Sequence, residues 1–272
     1  MTQIAVLQST TGIDPSANAN QLVSAVDAAA DGGAVMLFTP EMSGILDRNR
    51  ERARSKIMLE HEDSVLEAVR NSAAKKGIWV ALGSLAILRE DGRLANRSIL
   101  IDAYGDIVAR YDKIHMFDVQ LTSGESWSES SSYVAGDKVA VAETPIGRLG
   151  LSVCYDIRFP ALYEELGRQK CDAIAIPASF TVPTGEAHWN VLQRARAIES
   201  SAFVIAAAQV GKHEDTRQTY GHSLVVDPWG EVLLDLGGER AGLGFADLPP
   251  ERLKSVREQV PSLSNKRVIA SC

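Results

Sequence analysis

The strongest constraint on the fold is a repeated order of secondary structure in the two halves of this 272-residue chain. In each half, short apolar runs typical of buried strands alternate with stretches at helical spacing, and a predicted β-hairpin follows them. The two hairpins, at 98–108 and 223–233, match over eleven positions, and both carry Asp-x-x-Gly at the turn. The sequence therefore predicts two halves of similar structure.

The individual elements follow from apolar periodicity and from Gly and Pro breaks. In the first half we predict strands at 4–8, 34–38 and 78–88 and helices at 18–31 and 61–76. In the second half we predict strands at 150–153, 173–176 and 203–208 and helices at 161–168 and 188–201.

These strands carry apolar side chains at successive positions, so both faces of each predicted sheet must be covered. Each half has two helices, enough to cover one face, and the other face needs a second sheet. We therefore predict an α/β fold, a four-layer α-β-β-α sandwich of two pseudo-symmetric halves in a single domain over 1–272. The alternative is one doubly wound sheet, but the paired hairpins argue against a purely parallel arrangement.

Composition excludes several classes of function. The net charge is −7 and the pI is near 5.3, so there is no basic surface for nucleic acid or for anionic membranes. No run approaches 18 apolar residues, so no membrane span is expected. The three cysteines, Cys154, Cys171 and Cys272, have no disulfide-framework spacing, which indicates a reducing compartment and a cytoplasmic protein.

Cys154 ends an apolar run and is followed, after a short turn, by Pro160, a residue that suits the first position of a helix. A thiol at a strand-to-helix turn is well presented as a nucleophile, with backbone N–H groups nearby. The alternative is an inert core cysteine, the usual state of a free thiol.

Glu41 and Lys113 each follow a predicted strand and have apolar neighbours. A charged residue at such a position is most often a solvated turn residue. The apolar neighbours indicate burial, and buried charges are paired or functional.

Three segments together resemble the catalytic motifs of the nitrilase superfamily, the carbon–nitrogen hydrolases, in order and in approximate spacing. They are Phe38-Thr-Pro-Glu41, Tyr111-Asp-Lys113-Ile-His-Met-Phe-Asp118 and Leu151-Ser-Val-Cys154-Tyr-Asp-Ile-Arg158-Phe-Pro160. The resemblance covers nearly the whole chain. The family fold is the α-β-β-α sandwich, in agreement with the strand and helix pattern.

The resemblance implies a role for each residue. Cys154 would be the nucleophile, Glu41 the general base, and Lys113 the group that stabilises the oxyanion, with the backbone N–H of Tyr155 as a second donor. Glu129 matches a fourth family position, a glutamate that positions the lysine and the substrate. Glu125 is a rival for that position. No metal or organic cofactor is implied.

Within the family, several segments of the second half look most like the Nit amidases, and closest to the branch that hydrolyses deaminated glutathione to 2-oxoglutarate and cysteinylglycine. A 2-oxo acid substrate calls for a cation near the nucleophile, and Arg158 is the candidate, since a guanidinium can hold a carboxylate bidentately. Ser179, Phe180 and Thr181 are expected to line the pocket.

Other readings stay open. The chain could be an ω-amidase acting on 2-oxoglutaramate or 2-oxosuccinamate, an N-carbamoyl or aliphatic amide hydrolase, or a silent scaffold that kept the fold. His115, His188 and His222 raise a rival Cys–His mechanism, although lone histidines are more often structural.

Two segments lie outside the repeat. The segment 114–137 is longer than a simple connection between strands requires, so it is either a functional loop or disordered. The extension 249–272 starts with a short helix and is expected to pack on a partner subunit, since the family forms homodimers and larger assemblies. The expected partners are thus a small-molecule amide and a second copy of the chain.

Overall fold

The computed structural model describes residues 2–120, 124 and 126–268 of the chain. The first half contributes five strands to one sheet: β1 (Thr2–Gln8), β2 (Met36–Phe38), β3 (Trp79–Leu88), β4 (Leu94–Ile101) and β5 (Ile107–Asp112). Its helices are α1 (Pro15–Asp31), the short α2 (Arg50–Arg54) and α3 (Ser64–Lys76). A small hairpin then joins the halves: β6 (Asp118–Gln120) and β7 (Ser126–Ser128).

The second half contains nine strands: β8 (Ala140–Thr144), β9 (Gly147–Leu151), β10 (Ala173–Ala175), β11 (Phe203–Ala206), β12 (Val210–Lys212), β13 (Gln218–Tyr220), β14 (Leu224–Val226), β15 (Val232–Asp235) and β16 (Gly242–Leu248). Its helices are α4 (Pro160–Arg168), α5 (Val182–Ser200), α6 (Pro250–Gln259) and α7 (Ser262–Asn265). The helices and strands predicted from periodicity are all present, with shifted ends.

The repeat is visible in the strand order of the two six-stranded sheets. One sheet has the order β16-β1-β2-β3-β4-β5, and the other, read from its opposite end, has the order β8-β9-β10-β11-β14-β15. In each sheet the second, third and fourth strands are parallel and the remaining pairs are antiparallel. The alternative of one doubly wound parallel sheet is therefore wrong.

The turns of the two hairpins agree in detail. The N–H of Gly105 donates to the carbonyl of Asp102, and the N–H of Gly230 donates to that of Asp227. Both glycines have positive φ, 83° and 86°, which an L-residue adopts only with strain. Each aspartate side chain also accepts two backbone N–H bonds from its own turn. The shared Asp-x-x-Gly thus encodes the same turn twice.

The alternation of side chains along the strands determines the order of the four layers. In β1, Ala5 packs in a core with α1 and α3, whereas Ile4 and Val6 pack in the core that also contains β9, β10 and β11. Successive side chains of a strand point to opposite faces, so the first sheet has helices on one side and the second sheet on the other. The second sheet packs on its far side against α4 and α5, through residues such as Leu166 and Trp189.

Local sequence explains where the main helices begin and end. The Asp14 side chain caps α1 and Pro15 occupies its first turn. The Asp63 side chain caps α3, and Gly77, in the left-handed region, ends it. Such side chains satisfy N–H groups that a helix leaves unpaired at its start.

The C-terminal extension contacts the chain's own second half. Arg257 of α6 donates to the carbonyls of Ser201 and Cys171 and pairs with Asp172 at 2.9 Å. Over the described residues, no helix has the length and apolar character needed to cross a membrane.

Candidate active site

Glu41 follows β2 in a tight turn that passes close to β3. A Cβ at Gly83 of β3 would lie 2.0 Å from the carbonyl oxygen of Thr39, so only glycine fits there. The Glu41 side chain is 5% exposed, and its own carbonyl accepts a bond from the Gln209 side chain at 2.9 Å. The turn that carries Glu41 is thereby fixed from two sides.

Lys113 follows β5 and is 1% exposed. Its Nζ lies 3.0 Å from Glu41 Oε1 and 2.8 Å from Glu129 Oε2, so one ammonium bridges two carboxylates. Burial alone would lower the pKa of Lys113, but the charges of Glu129 and Glu41 outweigh it and raise that pKa well above its usual range. Lys113 therefore stays charged.

Glu129 reaches this group from the segment between the two halves, in a 3-10 turn just after β7. It also accepts the backbone N–H of Phe117 at 2.7 Å. Asn96 of β4 donates to Glu41 and to Glu129, at 3.0 Å in each case. Glu129 therefore contacts both Lys113 and Asn96, whereas its rival Glu125 lies outside the described residues.

Cys154 lies at the start of a 3-10 turn, Cys154–Arg158, that follows β9. Its φ of 50° is in the left-handed region, which costs a non-glycine residue of order 1–3 kcal/mol. A backbone bond from Cys154 N–H to the carbonyl of Pro177, at 2.8 Å, holds the turn against the end of β10. This turn points the thiol into the same cavity that Glu41 and Lys113 line.

Burial raises the pKa of the Cys154 thiol well above its usual range, and the charge of Glu41 adds to the effect. Lys113 and a hydrogen bond from the Ser179 N–H act in the opposite direction but are outweighed. The resting residue is therefore a protonated thiol beside a carboxylate. Such a pair suits proton transfer during attack.

The cavity has a volume of about 720 Å³ and opens to solvent. All nine site residues predicted from the sequence line it: Glu41, Lys113, Glu129, Cys154, Tyr155, Arg158, Ser179, Phe180 and Thr181. Ser179 Oγ is buried and has no hydrogen-bond partner among the described residues.

Arg158 is half-buried at the cavity wall. Its guanidinium carbon lies 5.6 Å from the Phe180 ring centroid and 5.8 Å from that of Tyr155. Both Nη atoms lie 3.3 Å from His188 Nδ1, and within the described ranges no carboxylate pairs with it. Arg158 is thus a cation of the cavity wall with no carboxylate partner among the described residues.

Asp156 links the two segments that carry Cys154 and Lys113. This fully buried carboxylate accepts the Tyr111 hydroxyl at 2.7 Å, the N–H and the ring Nδ1 of His115 at 3.0 and 2.7 Å, and the N–H of Val153 at 2.9 Å. Tyr111 and His115 flank Lys113 on either side. Asp156 therefore connects the turn that carries Cys154 to the segment that carries Lys113.

Sequence reasoning missed Asn96, Asp156 and Gln209. All three are fully buried polar side chains with side-chain or backbone partners across the site. A polar residue inside an otherwise apolar strand was the available signal for Asn96. For Asp156 the signal was an acid two residues after Cys154.

The three histidines of the rival Cys–His mechanism do not line the cavity. His115 bonds Asp156, His222 lies 3.0 Å from Asp235, and His188 contacts Arg158 from outside, and none of the three lines the pocket. The geometry therefore favours Glu41 as the proton acceptor. Across residues 2–120, 124 and 126–268, no three His, Cys, Asp or Glu side chains are grouped so as to hold a metal ion.

Known proteins agree with this architecture. The carbon-nitrogen hydrolase family pattern matches residues 3–258. Two similar proteins are the deaminated glutathione amidase of Yersinia enterocolitica, 37% identical over 98% of this chain and 94% of its own, and that of Synechocystis sp., 38% identical over 96% and 97%.

A solved structure shows the same fold. The NitFhit protein of Caenorhabditis elegans superposes with a TM-score of 0.90 at 34% identity over 98% of this chain. The chain spans about two thirds (65%) of that fusion protein. The predicted α-β-β-α sandwich and the predicted family are both confirmed, and the chain belongs to the carbon–nitrogen hydrolases, enzymes that cleave amides.

Proposed function

We propose that the chain is a thiol-dependent amidase in which Cys154 is the nucleophile. One observation supports this most directly: Lys113, held between Glu41 and Glu129, lines the same cavity as the Cys154 thiol. A base, a cation and a nucleophile at one cavity are the groups that acyl transfer requires.

In the first half of the reaction, Cys154 Sγ attacks the amide carbon while Glu41 takes the thiol proton. This order fits the raised pKa of Cys154, because the thiol loses its proton only as the bond forms. The Lys113 ammonium and the N–H of Tyr155 stabilise the oxyanion. Collapse expels the amine, which takes the proton from Glu41 and leaves a thioester.

In the second half, Glu41 removes a proton from water and the resulting hydroxide attacks the thioester. The oxyanion again lies against Lys113. Collapse releases the carboxylic acid and the Cys154 sulfur, which regains its proton from Glu41. Glu129 and Asn96 keep Lys113 and Glu41 in register through their hydrogen bonds.

The proposed substrate is deaminated glutathione, cleaved to 2-oxoglutarate and cysteinylglycine in metabolite repair. Two relatives that carry this name, from Yersinia enterocolitica and Synechocystis sp., align along nearly the whole chain. Arg158, without a carboxylate partner among the described residues, suits the 2-oxo acid end of the substrate.

The test is a paired hydrolysis assay with deaminated glutathione and 2-oxoglutaramate, with Cys154→Ala as the blank. We expect a large kcat/KM excess for deaminated glutathione, lost in the variant. Preference for 2-oxoglutaramate would move the chain to the ω-amidase branch. Turnover of an N-carbamoyl or simple aliphatic amide alone would overturn the 2-oxo acid assignment.

Arg158→Ala separates these substrate classes further. We expect it to raise KM for a 2-oxo acid amide by about 10- to 100-fold, the loss of one charge-assisted contact. Acetamide, which has no carboxylate, is the matched control substrate. An equal effect on both substrates would contradict the binding of the substrate carboxylate by Arg158.

Assembly and location complete the proposal. Helix α5 exposes Val191 and Ile198, which are 61% and 49% accessible, and a homodimer would cover such apolar side chains. The extension 249–272 would then contact the partner as well as its own chain. A cytoplasmic location fits the need to keep Cys154 reduced. Light scattering of the purified protein tests the dimer.

A further inference from the structure

Two arginines lie together at a part of the cavity that the proposed chemistry does not use. The guanidinium carbons of Arg48 and Arg217 lie 4.8 and 4.9 Å from the ring centroid of Trp127. All three residues line the cavity. Cation–π contacts at this distance hold a guanidinium in a defined place.

Asp215 ties the two arginines to each other. Its side chain is 2% exposed and accepts the backbone N–H of Arg48 at 2.8 Å. It also accepts the backbone N–H of Arg217 and pairs with Arg217 Nη2, both at 3.1 Å. This cluster of Arg48, Trp127, Asp215 and Arg217, the arginine subsite below, is therefore organised before any ligand arrives.

The arginine subsite keeps a surplus of positive charge. Asp47, which also lines the cavity, pairs with Arg52 at 2.6 Å. Glu41, whose charge also acts on Arg217, pairs with Lys113 at 3.0 Å. No carboxylate in the described part of the chain pairs with the Arg48 guanidinium, and Arg217 Nε is buried without an acceptor. Among the described residues, Asp215 is thus the one carboxylate that pairs with either guanidinium group, and both arginines retain donor capacity for an anion.

An aromatic row separates the arginine subsite from Arg158. The Phe117 ring lies 6.1 Å from Trp127 and 5.1 Å from Tyr155, whose ring faces Arg158. Tyr155 directly follows Cys154 in the sequence, and the rings, the thiol and the arginines all line one cavity. A three-unit peptide is about 10 Å long when extended, which suits two carboxylates bound at separated cations.

We infer that the arginine subsite binds the terminal carboxylate of a peptide leaving group, while Arg158 binds the 2-oxo acid end. The inference rests on the proposed amidase function and adds the determinant of substrate length. Deaminated glutathione carries both carboxylates. 2-Oxoglutaramate loses only ammonia and has no group that reaches Arg48.

The test compares two substrates in wild type and in Arg48→Met, which keeps an apolar side chain over Trp127. We expect kcat/KM for deaminated glutathione to fall by about 10- to 100-fold, with a far smaller effect on 2-oxoglutaramate. Arg54→Met is the matched control, because Arg54 is an exposed arginine of α2 whose side chain bonds Gly92 outside the cavity.

A C-terminal amide of deaminated glutathione isolates the carboxylate itself. Wild type should prefer the free acid over this amide, and Arg48→Met should lose the preference. Equal losses on both substrates, no loss at all, or an unchanged preference for the acid would each overturn the inference.

A binding experiment keeps the inference testable if wild type cleaves neither substrate. Calorimetry on Cys154→Ala would compare serylglycine, an analogue of the leaving group, with serylglycinamide. Binding that requires the free carboxylate and is lost in the Arg48→Met background supports the arginine subsite even when the substrate assignment fails. Binding without carboxylate preference, or no binding, refutes it.

Discussion

Replacing Asp156 with asparagine should uncouple the nucleophile turn from the lysine segment while the cavity residues stay unchanged. Each carboxylate oxygen accepts two hydrogen bonds: one from Tyr111 and Val153, the other from the N–H and ring of His115. An asparagine keeps one acceptor oxygen and turns an NH₂ group towards two donors. Asp156→Asn therefore loses two bonds to a buried charge.

The size of the effect follows from that count. Hydrogen bonds to charged groups contribute about 1.5–3 kcal/mol each, so we expect a loss of about 3–6 kcal/mol. A loss of this size is below the stability of many native domains, so the variant should still fold. It corresponds to a fall in Tm of about 5–10 °C for a chain of this size. Urea unfolding followed by circular dichroism measures it.

Activity should fall as well, and through kcat. Cys154 and Lys113 touch the reacting atoms in the proposed mechanism, and a displacement of about 1 Å costs about 10²-fold in rate. Tyr111→Phe is the matched control: it removes one donor and should lose about 1.5–3 kcal/mol. The reasoning is refuted if the free energy of unfolding of Asp156→Asn lies within about 1 kcal/mol of the wild-type value, or if the variant keeps the wild-type kcat.

Three further results are expected. Glu41→Gln should abolish turnover. It should also lower the pKa of the Cys154 thiol, because the charge of Glu41 helps to raise that pKa. The pH profile of Cys154 alkylation by iodoacetamide should therefore have its inflection at lower pH than in wild type, and an inflection at higher pH would contradict this. Gly83→Ala should lower the unfolding free energy by about 1–3 kcal/mol and reduce kcat, since its Cβ meets the carbonyl of Thr39; full activity and stability would show that the turn can move. Burial lowers the pKa of His213, so the folded state favours its neutral ring. The free energy of unfolding should therefore fall as the pH drops below about 6.5. Urea midpoints measured between pH 7.5 and pH 5 should decrease less in His213→Gln than in wild type.

Much of the fold could be predicted because the constraint was local. Apolar runs mark β1, β2 and β9, and Asp-x-x-Gly marks both hairpin turns without reference to any distant residue. Strands β8 and β16 were not predicted. Their residues are half exposed and mixed in character, and each takes its place from pairing with β9 or β1.

The candidate site could be predicted where a charged residue interrupts apolar sequence at a strand end, as at Glu41 and Lys113. Their convergence with Cys154 depends on two sheets packing face to face, which the internal repeat indicated. Asn96 could not be assigned, because its role depends on the register of β4 with β5, which brings its carbonyl 2.9 Å from the N–H of Lys113. Arg48 and Arg217 are far apart in sequence and meet at Asp215 and Trp127, so no local pattern could predict their cluster.

The pairing of β16 with β1 has a consequence for the nascent chain during synthesis. During synthesis, β1 leaves the ribosome long before β16, and the edge of β1 that faces β16 has no partner from this sheet until β16 has been made. Until then the N-terminal half presents a bare row of N–H and C=O groups, which invites pairing with other chains. Strand β16 thus covers the edge of β1, and a nascent chain that stalls before residue 242 leaves the long β1 strand unpaired on that side.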